Sequence, residues 1–174
     1  METITLPHLP NHPLQLLLFR NVKNAAFLRQ QLLDGNTDFE YAFLDAAVIL
    51  SRQHVLAACF KAINGISQGR LKSKNVHSEI VFDMSPNSNI SESFRRFGVS
   101  DTTKDILAIK VAPKDPAQVE QHLRDSVRGT TIFITDENLA SMTDQARIRK
   151  AYKVDVVSQE AEAYIIGCIA IKGS

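Results

Sequence analysis

Short apolar runs alternate with amphipathic stretches along this chain. Leu14 to Phe19 is apolar and bounded by Pro13 and Asn21, which predicts a strand. From Asn24 to Leu33, Ala25, Leu28 and Leu32 recur at helical spacing, and Gly35 supplies the stop. Ala46 to Leu50 predicts a second short strand. Ser51 then caps a helix whose Val55, Leu56, Cys59, Phe60 and Ile63 fall at i, i+1, i+4, i+5 and i+8, ending between Gly65 and Gly69. Ser78 to Met84 alternates, with Ile80, Phe82 and Met84 on one face and Glu79, Val81 and Asp83 on the other, which predicts a half-buried strand.

Ser85-Pro86-Asn87-Ser88 is turn chemistry. Asn89 stands three residues before Glu92, the spacing of a capping box, and opens a helix with Ile90, Phe94 and Phe97 inward and Gly98 as its stop. Ile106 to Val111 predicts a strand whose Leu107, Ile109 and Val111 share the more apolar face. Pro116 opens a helix to about Arg128, Thr130 to Ile134 reads as a short strand, and the last forty or so residues read as helical, with Asp136, Asp144 and Ser158 as caps. Alternating helices and strands favour a parallel sheet, but a strand with one polar face does not belong in one. The expectation is therefore an α+β fold over residues 1–174 as a single domain. Its sheet is mainly antiparallel or mixed, of about four to five strands, with helices packed against it and a helical C-terminal part.

Composition narrows the function. The chain has 174 residues, 44% hydrophobic and 22% charged, which suits a globular chain and excludes collagen, coiled coil or wholesale disorder. The start, Met1-Glu2-Thr3-Ile4-Thr5-Leu6-Pro7, lacks the features of a signal peptide, and Ala161 to Ile171 is too short to span a bilayer. The expected setting is nucleus and cytoplasm, with no membrane partner. Cys59 and Cys168 sit among apolar residues and read as structural thiols, and His8, His12, His54, His77 and His122 have no metal-ligand spacing. No G-x-G-x-x-G, P-loop or G-x-S-x-G occurs. No catalytic residue, metal or cofactor is expected, although an enzyme with an unfamiliar site stays open as a reading.

Charge then singles out a segment. Net charge is +1, yet between Asp45 and Glu79 there is no acidic residue, while Arg52, Lys61, Arg70, Lys72 and Lys74 fall there with His54. Such a segment attracts a phosphate backbone, or is simply a solvated helix face and basic loop. The loop carrying Ser85, Asn87, Asn89 and Ser91 leads into a helix N-terminus, which suits an anion, or merely caps the helix. That helix also exposes Arg95 and Arg96. In the last helix, Tyr164, Ile165, Ile166 and Ile169 belong to a run that is apolar all round, so one side meets the chain's own core and the other meets either a partner or more of the same chain.

The stretch Ser78-Glu79-Ile80-Val81-Phe82-Asp83-Met84-Ser85-Pro86-Asn87-Ser88-Asn89-Ile90-Ser91-Glu92-Ser93, followed by Phe97-Gly98, closely resembles the signature of the PRPK-binding protein family. Leu16-Leu17-Leu18-Phe19 with Val22-Lys23-Asn24-Ala25, the stretch Val48 to Ala62, and Ile148-Arg149-Lys150-Ala151-Tyr152-Lys153 resemble the family's other segments, in the right order. The resemblance implies a small non-catalytic subunit of the KEOPS (EKC) complex. Such a subunit binds the complex's PRPK-type atypical kinase and reaches the other subunits through it. It also helps capture tRNA by its 3′ CCA end while the complex makes N6-threonylcarbamoyladenosine at position 37. Under this reading Arg52, His54, Lys61, Arg70, Lys72, Lys74, Ser85, Asn87, Asn89, Ser91, Arg95 and Arg96 are the tRNA-contacting candidates, and Tyr164, Ile165, Ile166 and Ile169 the kinase-facing ones. The alternative within the same family is a kinase regulator with a telomere or transcription role and no specific tRNA contact.

Overall fold

In a computed structural model that describes residues 1–173, the apolar runs assemble into one five-stranded antiparallel sheet. Its strands are β1 (Glu2–Ile4), β2 (Leu14–Arg20), β3 (Ala42–Asp45), β4 (Ile106–Val111) and β5 (Thr130–Ile132). The path runs β1-β2-β4-β3, and β5 also pairs with β2. Leu14 to Leu16 pair with β1 and Leu18 to Arg20 with β5, so these two short strands lie end to end along one edge of β2. β2 and β4 form the centre, with Leu14 opposite Val111 and Phe19 opposite Ile106.

Both faces of the sheet are covered, which is why β2, apart from Gln15 and its last residue Arg20, is apolar at both parities. Leu14, Leu16 and Leu18 join Ala42, Leu44, Leu107 and Ile109 in the larger core. Against that face lie α2 (Arg52–Ser67), α3 (Val76–Met84), α4 (Ile90–Phe97), α6 (Asp136–Met142), α7 (Gln145–Tyr152) and α8 (Gln159–Ile171). The opposite face, with Leu17, Phe19, Phe43, Ile106 and Ala108, is closed by α1 (Ala25–Leu33) and α5 (Pro116–Ser126). Helices therefore sit mainly on one side.

Two expected strands are absent. The stretch 78–84 lies within helix α3, and seven of the helix's nine residues are buried. Enclosure on nearly every side puts apolar residues at both parities. Glu79 and Asp83, read as one edge of a strand, stand at i and i+4 on one helical face. Its start was written in Asn75 and Ser78: the Asn75 side chain accepts from the His77 and Ser78 amides, and Ser78 Oγ accepts from the Asn75 amide at 3.0 Å. Ala46 to Leu50 is likewise no strand. β3 ends at Asp45, whose Oδ1 accepts from the Ala47 amide at 2.9 Å and opens a 3-10 turn over Ala46–Val48. The run is apolar because α6 and α7 bury the turn.

A polar relay crosses the larger core. The Leu50 amide donates to His54 Nδ1 at 3.0 Å, so the proton of this neutral, fully buried imidazole is on Nε2. Nε2 donates to Tyr152 Oη at 2.9 Å, and the tyrosine hydroxyl donates to the Met84 carbonyl that α3 leaves unpaired at its end. Tyr152→Phe strands the imidazole N–H and the Met84 carbonyl together. It should cost about 2–3 kcal/mol in urea unfolding. A loss below about 1 kcal/mol would contradict the relay.

Candidate functional site

The basic segment is moulded by a buried carboxylate. Glu79, 4% exposed, accepts from the Lys72 amide at 3.0 Å and from the Ser73 amide and hydroxyl at 2.8 and 2.6 Å. Those donors offset the cost of taking the charge out of water. They also fold the connection between α2 and α3 back over α3. Arg70 and Lys72 then line a groove of about 670 Å³, with Lys61 and Asn64 contributed by α2 and Gln68 by its C-terminal cap.

The far wall comes from the end of α8 and the loop after α3. Lys172 donates to the Phe82 carbonyl and, at 2.6 Å, to the Ser85 carbonyl, with its ammonium 3.5 Å above the Phe82 ring. Lys61 donates to the Ala170 carbonyl at 3.1 Å. The loop is set by a chain of side-chain acceptors. Ser85 Oγ takes the Asn87 amide at 3.0 Å, Asn87 Oδ1 the Asn89 amide at 2.7 Å, and Asn89 Oδ1 the Glu92 amide at 3.0 Å. Ser93 Oγ closes it by donating to the Asn89 carbonyl at 2.8 Å. The loop presents Ser88 to the groove. Basic segment and loop thus share one surface.

Charge in the groove is tightly coupled. Burial pushes the Asp83 carboxyl up to about 7, and neighbouring Glu79 pushes the same way, against Lys172 and Lys61. Burial pulls Lys172 down to about 8, partly offset by Asp83 and Glu79. Cys59 behind them is raised to about 12 by burial and by Asp83.

Several of the expected tRNA contacts lie elsewhere. Arg52 is held by Glu2 through two bonds of 2.6 and 2.7 Å and donates to the Ile134 carbonyl, tying β1 to the start of α2. His54 is in the core and cannot touch a surface ligand. Ser85 is 1% exposed and acts from within as the loop's first acceptor. Lys74 is exposed but turned toward Gly35, outside the groove lining. Arg95 and Arg96 are ion-paired with Glu92 and line a separate cleft of about 180 Å³ with Arg147 and Lys150. The capping box at Asn89 is therefore half made: Glu92 turns to the arginines instead of to the Asn89 amide. Asn87, Asn89 and Ser91 remain exposed beside the groove. Sequence reading missed Lys172, Ser88 and the polar stripe Lys61-Asn64-Gln68, which the i, i+3, i+7 spacing opposite the α2 core stripe does encode.

The last helix is open on one side only. Ile165 and Ile169 are 0% and 2% exposed and belong to the chain's own core, so neither can face a partner. Tyr164 and Ile171, 59% and 68% exposed, form the outward stripe with Gly167 and half-buried Cys168, while Ile166 lies at its border. Ile171 was missed, and Cys168 belongs to this open face. Among the described residues, no group of three or more His, Cys, Asp or Glu side chains converges to hold a metal, and no helix is long and apolar enough to cross a membrane.

The buried titratable groups predict an acid-sensitive fold. Burial pulls both His54 and His77 from 6.5 to about 3, and His77 Nε2 accepts from the Val111 amide at 3.0 Å. Below their ordinary pKa the unfolded chain therefore takes up two protons that the folded chain refuses. Asp83 opposes one of them, since its folded value of about 7 lies above the ordinary 3.8 and unfolding releases its proton. The net uptake is one proton, so stability should fall by about 1.4 kcal/mol per unit as pH drops from roughly 6 to 4.5. Urea midpoints across that window measure it, and a flat profile would contradict two neutral histidines.

Comparison with known proteins identifies the family. The model of the kinase-binding protein CGI-121 family matches residues 19–173. The chain is 47% identical to the EKC/KEOPS complex subunit cgi121 of Aspergillus fumigatus, with all of this chain and 97% of that protein covered. It is 48% identical to the subunit of the same name from Aspergillus terreus, again over all of this chain and 97% of that one. The Schizosaccharomyces pombe EKC/KEOPS complex subunit cgi121 is 33% identical over 97% of this chain and 98% of its own length. The chain belongs to the CGI-121 kinase-binding family, as the 78–98 stretch led one to expect.

Proposed function

We propose that this chain is a non-catalytic KEOPS (EKC) subunit that binds the complex's PRPK-type kinase and helps recruit tRNA by its 3′ CCA end for N6-threonylcarbamoyladenosine formation at position 37. The observation that carries the tRNA part is the single groove shared by Lys61, Arg70, Lys72 and Lys172 on one hand and the Ser85–Asn89 loop on the other. Cations along a groove hold phosphates, and polar loop groups read unstacked bases at a free end. Affinity for intact tRNA against tRNA lacking CCA, followed through a salt series, is the test. Equal affinity for both would leave a kinase-binding scaffold, the reading in which tRNA contact is incidental.

The kinase part rests on the outward stripe of α8 together with the family's kinase-binding character. Gly167 lies in mid-helix on that stripe, and a Cβ there would meet nothing of this chain within 4 Å. No internal contact requires a glycine, which costs about 1 kcal/mol against alanine. Close approach of a partner's backbone accounts for it. Gly167→Ala should raise the isolated chain's stability by about 0.5–1 kcal/mol while weakening kinase binding severalfold. Calorimetric titration against the kinase decides it, and undiminished affinity would place the partner elsewhere on the helix.

A further inference from the structure

Asp83 is the one acidic side chain of the groove whose oxygens are unspent. It is 3% exposed, lines the groove from α3, and has no hydrogen-bond or ion-pair partner among the described residues. Glu79, one turn earlier, is already saturated by the Lys72 and Ser73 donors. Around Asp83 the groove offers donors: the Lys61, Arg70, Lys72 and Lys172 cations and the Asn64 and Gln68 amides. Such a site suits a ligand that is anionic along the rim and donates hydrogen bonds at the floor.

An RNA chain is rich in acceptors and poor in donors. Its internal 2′-hydroxyls and exocyclic amines offer donors singly or on the base edge, whereas a 3′-terminal ribose offers two vicinal hydroxyls. Two free oxygens of one carboxylate match two vicinal O–H donors, in the way acidic side chains hold ribose hydroxyls in nucleotide-binding folds. We propose that Asp83 accepts hydrogen bonds from the 2′- and 3′-hydroxyls of a 3′-terminal ribose, so that the groove selects RNA ends carrying a free diol. This deepens the tRNA reading and rests on it. The groups facing the carboxyl are Cys59 and Lys61 from α2, Glu79 from α3 and Lys172 at the end of α8. With its pKa raised by burial to about 7, Asp83 passes from protonated to ionised across neutral pH. The preference for the diol should therefore grow as pH rises from roughly 6 to 8.

The experiment uses the unmutated protein with three tRNAs: one ending in CCA with a free diol, one whose terminal adenosine is 2′,3′-dideoxy, and one lacking CCA. The free diol should bind at least about tenfold tighter than the dideoxy end, a difference of roughly 1.4 kcal/mol. Asp83→Asn, checked for its unfolding midpoint, should shrink that ratio to about twofold or less. Equal binding of diol and dideoxy ends overturns the proposal while leaving CCA recognition intact. Equal binding of all three overturns the tRNA reading itself. A well-folded Asp83→Asn chain that keeps the full preference also overturns the proposal. The two chemically altered ends decide the matter on the native protein even where the variant does not fold.

Discussion

Tyr164→Glu combined with Ile171→Glu should abolish co-elution with the kinase and leave the fold intact. Both side chains are more than half exposed, so their replacement should shift the unfolding free energy by no more than about 0.5 kcal/mol each. At an interface each is a large apolar contact, and a charge there must be desolvated or must hold the surfaces apart. A loss of about 2 kcal/mol per residue, roughly 30-fold in affinity, is the scale of an interface hot spot. Ile165→Glu and Ile169→Glu are the informative contrast. They bury a carboxylate in the larger core without a partner, and should unfold the chain or cost upward of about 4 kcal/mol. Loss of binding by those variants would therefore say nothing about the kinase. Normal co-elution of the Tyr164/Ile171 double variant would take the kinase off this face of α8.

Arg70→Glu with Lys72→Glu should weaken binding of every tRNA by about 100-fold at low salt, near 1.4 kcal/mol for each residue. The salt dependence should flatten at the same time, the slope falling by about one for each phosphate contact removed. Both side chains are exposed, so the fold should be unaffected. Arg52→Ala marks the difference between charge and position. It breaks the tie to Glu2 and lowers stability, but lies outside the groove and should leave the salt slope unchanged. Lys74→Glu, turned toward Gly35, should have much the smaller effect. Binding curves for the variants between low and physiological salt measure all of this. An unchanged slope in the Arg70/Lys72 variant would rule out these cations as the phosphate contacts.

The pattern told most where an element has one wet face or clear turn residues at its ends. β2, β4, α2 and α4 announce themselves because their patterns are bounded by turn residues or carry a single stripe. α3 does not, because it is enclosed by α2, α4 and the sheet, and even its Glu79 and Asp83 are buried, so it has no wet face to set a period. Its cap residues Asn75 and Ser78 held the better signal. β1 and β3 are three and four residues long, too short for any pattern to stand out. The site divides in the same way. Clustering of Arg70 and Lys72 in a segment without acids was readable from charge alone. The roles of Arg52 and His54 were not, because Glu2 lies 50 residues before the one and Tyr152 lies 98 after the other. Only the closed chain shows which cations are already paired and which imidazole is dry. The outward face of α8 is legible in hindsight as the i, i+3, i+7 series Tyr164, Gly167, Ile171. The surrounding apolar residues hide it.

Lys172 gives α8 and the groove a common hinge pin. Its ammonium group, set at the last turn of the helix, grips the Phe82 and Ser85 carbonyls where α3 gives way to the loop. The outward stripe of α8 rides on the same rigid rod. The helix that carries the outward stripe therefore also anchors, at its far end, the loop that presents Ser88, so the two surfaces are fixed by one element.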